Sequence, residues 1–290
     1  MRLGITFPQG SIPADPDELR NYVTGVEELG FDHLLVPDHI LGADPAVHAG
    51  WKGVYDVVDA FHEPLVLFGY LSAFSSLEFV TGVLVLPQRQ AAVVAKQAAQ
   101  VDVLSRGRLR LGVGIGWNVP EFEGLGADFA SRGRRIDEQI EVMRLLWTTE
   151  SVTFTGADHT LNGVGIAPLP LQRPIPVWIG AERATRAFER VGRIGDGWMA
   201  MGPPTDDAAA GQKIIRMAAE RAGRDPDSIG IEAWVNFDGE DGDRMMAEIA
   251  GWRELGATHV SINTRTRPAV PVERSLELAA MAMALVKTEI

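Results

Sequence analysis

Short apolar runs alternate with longer amphipathic segments along almost the whole chain. Short runs rich in β-branched and aromatic residues, bounded by turn-forming residues, are typical of buried β-strands. Eight such runs are found: Leu3–Phe7, His33–Val36, Phe79–Leu86, Leu109–Ile115, Val177–Ile179, Trp198–Met201, Ile229–Val235 and His259–Asn263. We therefore expect eight strands.

Between these runs, apolar residues recur every three or four positions, which predicts amphipathic helices. The clearest series are Leu19, Val23, Val26 and Leu29; Val94, Ala98, Val101 and Leu104; Ile136, Ile140, Met143 and Trp147; Met245, Ile249 and Trp252; and Leu276, Ala280 and Met283. Two helical segments stop at a glycine, at Gly30 and Gly256. Glycine is common there because it adopts the left-handed conformation of a helix C-terminus without steric cost.

Strict alternation of strand and helix predicts parallel strands joined by right-handed crossovers. Eight such units favour a single α/β domain, a (β/α)8 TIM barrel over residues 1–290. The alternative is an open doubly wound sheet, which usually carries a G-x-G-x-x-G phosphate-binding turn after its first strand. Residues 7–11 read FPQGS at that position, so the barrel is favoured.

Two segments interrupt the repeat. Ile40–Ala60 follows the second strand, and Thr148–Pro176 lies between the fourth helix and the fifth strand. Both are longer than ordinary connections, and long loops are often functional. Loops after barrel strands gather on the catalytic face, so Ile40–Ala60 is a candidate lid in which Trp51 and Tyr55 would contact a planar, partly apolar substrate. The alternative is a surface elaboration without a role.

Composition narrows the possible functions. The 290 residues include 27 Lys and Arg against 39 Asp and Glu, a net charge of −12, and no cysteine. An acidic chain without a basic patch argues against nucleic-acid binding, and the lack of cysteine excludes disulfides, thiolate metal sites and cysteine nucleophiles. Neither the start, Met1–Pro8, nor the longest uncharged apolar stretch, Pro64–Leu77, has the length of a signal peptide or a membrane span. We expect a cytoplasmic protein without a membrane partner.

Glycines occupy every second position at Gly112, Gly114 and Gly116. Alternate residues of a strand face the same side, so these glycines predict a flat slot where a planar ligand approaches the backbone. The motif is weak by itself. Small-residue packing inside a tight barrel is the alternative interpretation.

An acid and an imidazole lie side by side at the end of the second strand, at Asp38 and His39. Catalytic groups of barrels sit at strand ends, and histidine is the usual proton carrier near neutral pH. A histidine with only a structural hydrogen bond is the competing interpretation. The other histidines show no metal-ligand spacing, so no metal is expected.

The segment Pro176–Arg186 contains a strand, a small-residue turn and a helix start. Free backbone N–H groups at such a helix start, with Arg183 and Arg186 nearby, are suited to bind a phosphate. A plain turn with solvated arginines is equally consistent with the pattern. The acidic stretch Asp238–Asp243 fails the EF-hand template and predicts a solvated turn with an Asp helix cap.

Taken together in this order, these motifs resemble the luciferase-like monooxygenase superfamily, in particular its branch of oxidoreductases that use the deazaflavin coenzyme F420. The resemblance rests on stretches that span the first strand to about Met201: Pro37–His39, Val80–Arg89, Leu104–Asn118 with Glu121 and Phe122, Arg135–Trp147, Pro176–Gly180 and Gly195–Trp198.

The resemblance implies a TIM barrel with the tricyclic cofactor ring over the strand ends, a non-proline cis peptide at Gly82–Val83 and a homodimer. It also places the cofactor phosphate near Gly180 and Ala181. With the glycine slot, it implies a cofactor site formed by Asp38, Gly82, Val83, Gly114, Gly116, Trp117, Asn118, Gly180 and Ala181. Deazaflavin sugar-phosphate dehydrogenases of this superfamily carry a Glu proton donor where this chain has Trp117, which argues against sugar-phosphate oxidation.

The expected function is hydride transfer between C5 of F420 and a small organic substrate. His39 would donate or accept the proton, and Asp38 would orient His39 or anchor the backbone or the cofactor. Two alternatives remain open: an FMN-dependent monooxygenase that uses oxygen in the same slot, and a cofactor-binding protein without turnover.

Overall fold

The computed structural model describes residues 1–266 and 270–288. Within these residues the strands are β1 (Arg2–Thr6), β2 (His33–Val36), β3 (Glu78–Thr81), β4 (Leu84–Val85), β5 (Leu109–Gly114), β6 (Val152–Thr155), β7 (Thr160–Val164), β8 (Val177–Ala181), β9 (Gly197–Ala200), β10 (Gly230–Asn236) and β11 (His259–Asn263). Eight of them pair in parallel in the closed order β1-β2-β3-β5-β8-β9-β10-β11, and β11 returns to β1. The (β/α)8 barrel is confirmed.

Helices surround this barrel: α1 (Pro16–Leu29), α2 (Pro64–Leu71), α3 (Ala91–Leu104), α4 (Val119–Gly124), α5 (Arg132–Thr148), α6 (Thr185–Ile194), α7 (Asp206–Arg221), α8 (Gly242–Glu254) and α9 (Val272–Lys287). Their apolar faces pack on the outer side of the strands, where Trp147, Trp252 and Tyr22 are fully buried. None of the described helices is long and apolar enough to cross a membrane.

The helix ends follow the signals in the sequence. Asp15 caps α1 by accepting hydrogen bonds from Asp17 N and Glu18 N, and the helix ends at Gly30, whose φ is 95°. The acidic stretch behaves as predicted, because the Asp241 side chain accepts a hydrogen bond from Arg244 N and caps α8.

One predicted strand is wrong in its continuity. The run Phe79–Leu86 divides into β3 and β4, because the Gly82–Val83 peptide bond between them is cis and Leu86–Gln88 forms a 3₁₀ turn. Both pieces still pair with β5. The hydrophobic pattern cannot show such a break, because residues 79–86 are apolar or uncharged throughout and read as one continuous strand.

The two insertions differ in structure. Residues 40–60 form turns and irregular backbone after β2. The second insertion contains an antiparallel hairpin of β6 and β7, with Phe154 opposite Leu161. The alternation rule missed these two strands because they lie outside the barrel sheet.

The barrel interior holds charged residues near the amino ends of the strands. Glu232 on β10 accepts hydrogen bonds from His33 Nε2 at 2.9 Å, Ser261 Oγ at 2.7 Å and Arg110 Nη1 at 2.6 Å. Gly4 makes room for this group, since a Cβ there would lie 2.1 Å from His33 Nε2. Buried charges need such partners, and here they fill the centre of the barrel below the open end.

Candidate active site

A cavity of about 410 Å³ opens at the carboxyl ends of the barrel strands. This volume lies within the range of about 300 to 1,000 Å³ that is typical of small-molecule sites. Most strand ends contribute to its lining, which comprises Leu35, Pro37, Asp38, His39, Val54, Tyr55, Gly82, Val83, Val85, Gly114, Ile115, Gly116, Trp117, Gly180, Ala181, Glu182, Arg183, Ala184, Ala187, Arg190, Met199, Ala200, Met201, Glu232 and Trp234. The wall is therefore largely apolar with a few polar groups.

His39 is held by a carboxylate from another strand end. Its Nδ1 lies 3.0 Å from Glu121 Oε2, and the two side chains are 11% and 0% exposed. Asn118 caps α4 through a hydrogen bond from Glu121 N to Asn118 Oδ1. Glu121 therefore lies in the first turn of α4, the helix after β5, where its carboxylate reaches His39 at the end of β2. Because the hydrogen bond to Glu121 uses Nδ1, His39 retains Nε2 for a ligand.

Glu121 also anchors the start of the first insertion. Its Oε1 accepts hydrogen bonds from Ile40 N at 2.6 Å and Leu41 N at 3.2 Å. Burial raises the pKa of Glu121, but the hydrogen bond and charge of His39, with the Ile40 N–H, outweigh burial and hold that pKa below its ordinary value. Glu121 is therefore an ionised acceptor for His39 at neutral pH.

Asp38 does not orient His39, so that part of the sequence interpretation is wrong, whereas its backbone-anchoring alternative agrees with the contacts of Asp38. Its carboxylate accepts two hydrogen bonds from the Arg89 guanidinium, each 2.9 Å, and one from Val85 N at 2.9 Å. The physical reason is that successive residues of an extended chain point to opposite sides. Asp38 lines the cavity but serves to fix the backbone of β4 after the cis peptide.

Aromatic rings surround His39. The ring centroids of Tyr55 and Phe61 each lie 5.2 Å from that of His39, and Trp117 lies at 5.5 Å. Trp51 does not line the main cavity; it packs on Trp117 with a centroid distance of 5.6 Å. The structure therefore brings Tyr55 and Trp117 to the cavity and places Trp51 behind them.

The glycine slot is more restricted than the sequence indicates. A Cβ on Gly112 would lie 2.0 Å from Thr81 O, one on Gly114 2.5 Å from Val83 Cγ2, and one on Gly116 2.5 Å from Val85 Cγ1. These glycines allow close packing of neighbouring strands, which was the alternative interpretation. Gly114 and Gly116 nevertheless line the cavity, whereas Gly112 is not part of its lining.

Gly180, at the end of β8, leaves its backbone open to the cavity, as a slot for a planar ligand requires. A Cβ there would make only ordinary contacts, the nearest at 3.5 Å to Val83 Cγ1. Gly180 and Ala181 line the cavity together with Val83, whose backbone follows the cis bond. A flat ligand can therefore approach the backbone between these residues.

The turn from β8 to α6 presents unused backbone donors. Ala184 is the N-cap of α6 and provides no side-chain hydrogen bond to the helix start. Arg183 lines the cavity with its side chain 88% exposed and 3.0 Å from the carboxylate of Glu182, which also lines the cavity, whereas Arg186 is not part of the lining. This end of the cavity suits an anionic group.

Asn118 is not brought to the main cavity. Besides capping α4, its Nδ2 donates a hydrogen bond to Leu41 O at 3.3 Å, so its contacts are with the insertion.

Sequence reasoning also missed the role of Glu121 as the partner of His39 and that of Arg89 as the partner of Asp38. The only signal for Glu121 in the sequence was its position shortly after the last glycine of the motif, Gly116.

Comparisons with known proteins agree with the fold. The family model described as luciferase-like monooxygenase matches residues 1–257. The F420-dependent glucose-6-phosphate dehydrogenase of Amycolatopsis mediterranei is 31% identical over 250 residues, which cover 83% of this chain and 71% of that relative.

Two solved structures share the fold. The monooxygenase RslO1 from Streptomyces bottropensis has a TM-score of 0.75 and 19% sequence identity, with 100% of this chain and 98% of that chain covered. An F420-dependent secondary alcohol dehydrogenase in complex with an F420-acetone adduct has a TM-score of 0.77 and 18% identity, with 98% of each chain covered.

Proposed function

We propose that this chain, which belongs to the luciferase-like monooxygenase family, catalyses hydride transfer between coenzyme F420 and a small organic substrate. The observation that carries the proposal is the His39–Glu121 pair at the edge of an apolar cavity, with a hydrogen bond of 3.0 Å. The family's F420-dependent relatives support the choice of cofactor. FMN is the alternative cofactor.

The residues present fit a planar cofactor with an anionic tail. The open position at Gly180 allows a ring to approach the backbone beside Val83. The uncapped start of α6, with Arg183 near it, would bind a phosphate. When bound, the deazaflavin supplies the carbon that donates or accepts the hydride.

His39 would move the proton that accompanies the hydride. Glu121 accepts a hydrogen bond from Nδ1 and so leaves Nε2 as the group that faces the substrate. The rings of Tyr55, Phe61 and Trp117 exclude water around the imidazole. Low local polarity strengthens every hydrogen bond that the substrate makes there.

The proposal does not extend to glucose 6-phosphate, the substrate in the name of the relative. Trp117 lies against His39, in the place where the resemblance expects a Glu in sugar-phosphate dehydrogenases. Among the described residues, Arg183 and Arg190 line the cavity. Arg190 is bound by Asp137 and by Gly133 O, and Arg183 pairs with Glu182. A planar, partly apolar substrate fits this wall better than a sugar phosphate.

The test is a pair of titrations of the purified protein with F420 and with FMN, followed by fluorescence. We expect F420 to bind tightly and FMN weakly, and reduced F420 to be oxidised by a competent substrate without consumption of oxygen. Tight FMN binding with oxygen consumption would instead establish the monooxygenase. Cofactor binding without turnover over a broad panel of ketones, enones and alcohols would establish a binding protein.

A further inference from the structure

A second, smaller cavity of about 190 Å³ lies beside the main one, over the carboxyl ends of β1, β10 and β11. The two cavities share Pro37, Tyr55, Met201 and Trp234 in their linings, so they adjoin. The smaller one, which we call the amide compartment, has polar side chains in its wall. They are Thr6, Gln9, Asn236, Asn263 and Arg265.

Three of these polar side chains are engaged within the protein. The Gln9 carboxamide donates to Pro37 O and His62 O and accepts from His62 N. Thr6 Oγ1 accepts a hydrogen bond from Trp234 Nε1. Arg265 donates to Gln9 O at 3.1 Å and to Asp59 Oδ1 at 2.8 Å.

A short hydrogen-bond chain fixes the direction of the two asparagines. Arg265 N donates to Asn263 Oδ1 at 3.2 Å, and Asn263 Nδ2 donates to Asn236 Oδ1 at 2.8 Å. A backbone N–H can only donate, so the first bond orients the Asn263 amide, and the second then orients the Asn236 amide. Within residues 1–266 and 270–288, Asn236 Nδ2 makes no hydrogen bond, and this exposed side chain presents N–H donors to the compartment.

We propose that the amide compartment binds an acceptor oxygen of the substrate, either a carbonyl or a carboxylate oxygen, through Asn236 Nδ2. This inference rests on the proposed function, because it places the reacting carbon beside His39 and the acceptor oxygen beyond Tyr55. The substrate is then a compound with an apolar ring or chain against the aromatic wall and an oxygen acceptor at the end away from the cofactor. Arg265 lies behind this subsite with its guanidinium 4.6 Å from the Tyr55 ring centroid.

The experiment compares three probes that share one bicyclic skeleton: tetralin, 1-tetralone and tetralin-1-carboxylate. Their binding is measured by isothermal titration calorimetry with the purified protein, with and without F420. One hydrogen bond corresponds to roughly three- to tenfold in affinity for a neutral acceptor and to roughly ten- to 150-fold for a charged one. We expect 1-tetralone or the carboxylate to bind tighter than tetralin by the corresponding factor, and the better of the two identifies the charge of the natural acceptor.

Variants of Asn236 separate the hydrogen bond from the cavity shape. Asn236→Leu should bring all three probes to the affinity of tetralin. Asn236→Asp still accepts the hydrogen bond from Asn263 but replaces the donor, so both oxygenated probes should weaken, the carboxylate most. Asn162→Asp makes the same charge change at an exposed position of β7 and should change nothing.

Three results would overturn the inference: equal affinities of the three probes for the unaltered protein, discrimination that survives in Asn236→Leu, or a loss of F420 affinity in that variant, which would assign the compartment to the cofactor. Failure of the proposed function is a separate result. It is read from the F420 titration of the unaltered protein, whereas the probe affinities without F420 still report on Asn236.

Discussion

At the scale of single residues, the candidate site depends on which carboxylate pairs with which basic side chain. The sequence places Asp38 next to His39, but the folded chain pairs Asp38 with Arg89 and His39 with Glu121. The side chains of Asp38 and His39 point to opposite sides of the chain, and each binds a residue from a different βα unit of the barrel. Two predictions follow from this exchange of partners.

Replacement of His39 by Asn should lower kcat while leaving cofactor affinity unchanged. His39 transfers the proton in the proposed reaction, whereas the cofactor ring binds beside Gly180 and Val83. A positioned general acid or base contributes roughly 10² to 10⁴-fold, and kcat should fall by that factor. Steady-state kinetics over the pH range, with an F420 titration as control, measure both effects. Full kcat in the variant at every pH would assign proton transfer to another group.

Replacement of Glu121 by Gln should act through His39. The amide keeps an oxygen for Ile40 N and Leu41 N but presents an N–H to His39 Nδ1, which must then accept, so that the imidazole proton moves to Nε2. We expect kcat to fall by about 10²-fold with a displaced pH profile, while KM for the cofactor changes little. Glu123→Gln, on the exposed side of α4, is the matched control. An unaltered pH profile in Glu121→Gln would reduce Glu121 to an anchor of the insertion.

At the scale of elements, the sequence pattern predicted all eight barrel strands. Each strand is a short apolar run, and an amphipathic helical segment separates it from the next run. It could not predict the division of Phe79–Leu86 at the cis bond or the β6–β7 hairpin. Strand ends predicted that His39 and Gly180 would lie at the cavity, whereas Val83 was expected from the family resemblance. It was not predictable where it depends on contacts between distant units, as for Glu121.

Gly180→Ala is the sharpest test of the cofactor slot. The added Cβ clears the protein, with its nearest neighbour at 3.5 Å, so the fold should be kept while the methyl group occupies the approach to the backbone. Overpacking typically costs about 1 to 3 kcal/mol, so cofactor affinity should fall by roughly 5- to 150-fold. The control is Gly69→Ala in α2, where the added Cβ would meet no described residue within 4 Å apart from its own helix backbone and chain neighbours. Unchanged F420 affinity in Gly180→Ala would place the ring elsewhere.

Shortening the first insertion should change substrate selection. Val57 N bonds Ala43 O at 3.1 Å and closes the base of the loop, so removal of residues 45–50 leaves this base in place. We expect KM for substrates to change far more than F420 affinity. Kinetics over a substrate panel, with a cofactor titration, measure the two effects. Loss of cofactor binding with an unchanged substrate profile would contradict a role in substrate selection.

At the scale of the whole molecule, stability depends on a charged group inside the barrel. Burial raises the pKa of Glu232, but His33 and Arg110 outweigh burial and hold that pKa well below its ordinary value. His259 packs against Trp178 and His33 with centroid distances of 5.0 and 5.7 Å. The interior is therefore arranged around an ionised carboxylate, and acid should affect the protein as a whole.

The acid dependence has a definite sign. Burial, together with the positive charge of Arg110, lowers the pKa of His259 from 6.5 to about 4, although Glu232 acts in the opposite direction. The unfolded chain takes up a proton at this histidine near pH 6.5 and the folded chain only near pH 4, so the free energy of unfolding should fall as the pH falls between these values. Below about pH 4.5, protonation of Glu232 in the unfolded chain should add a further loss.

Urea unfolding at pH 7.5, 5.5 and 4 measures this loss, and His259→Asn separates its parts. An asparagine does not titrate, so the variant should lose less stability than the unaltered protein between pH 6.5 and pH 4, while the loss at lower pH remains because Glu232 is unchanged. If the two proteins lose stability equally over the upper interval, the proton uptake belongs to another half-buried histidine. His62 is then the first to replace, because burial lowers its pKa as well.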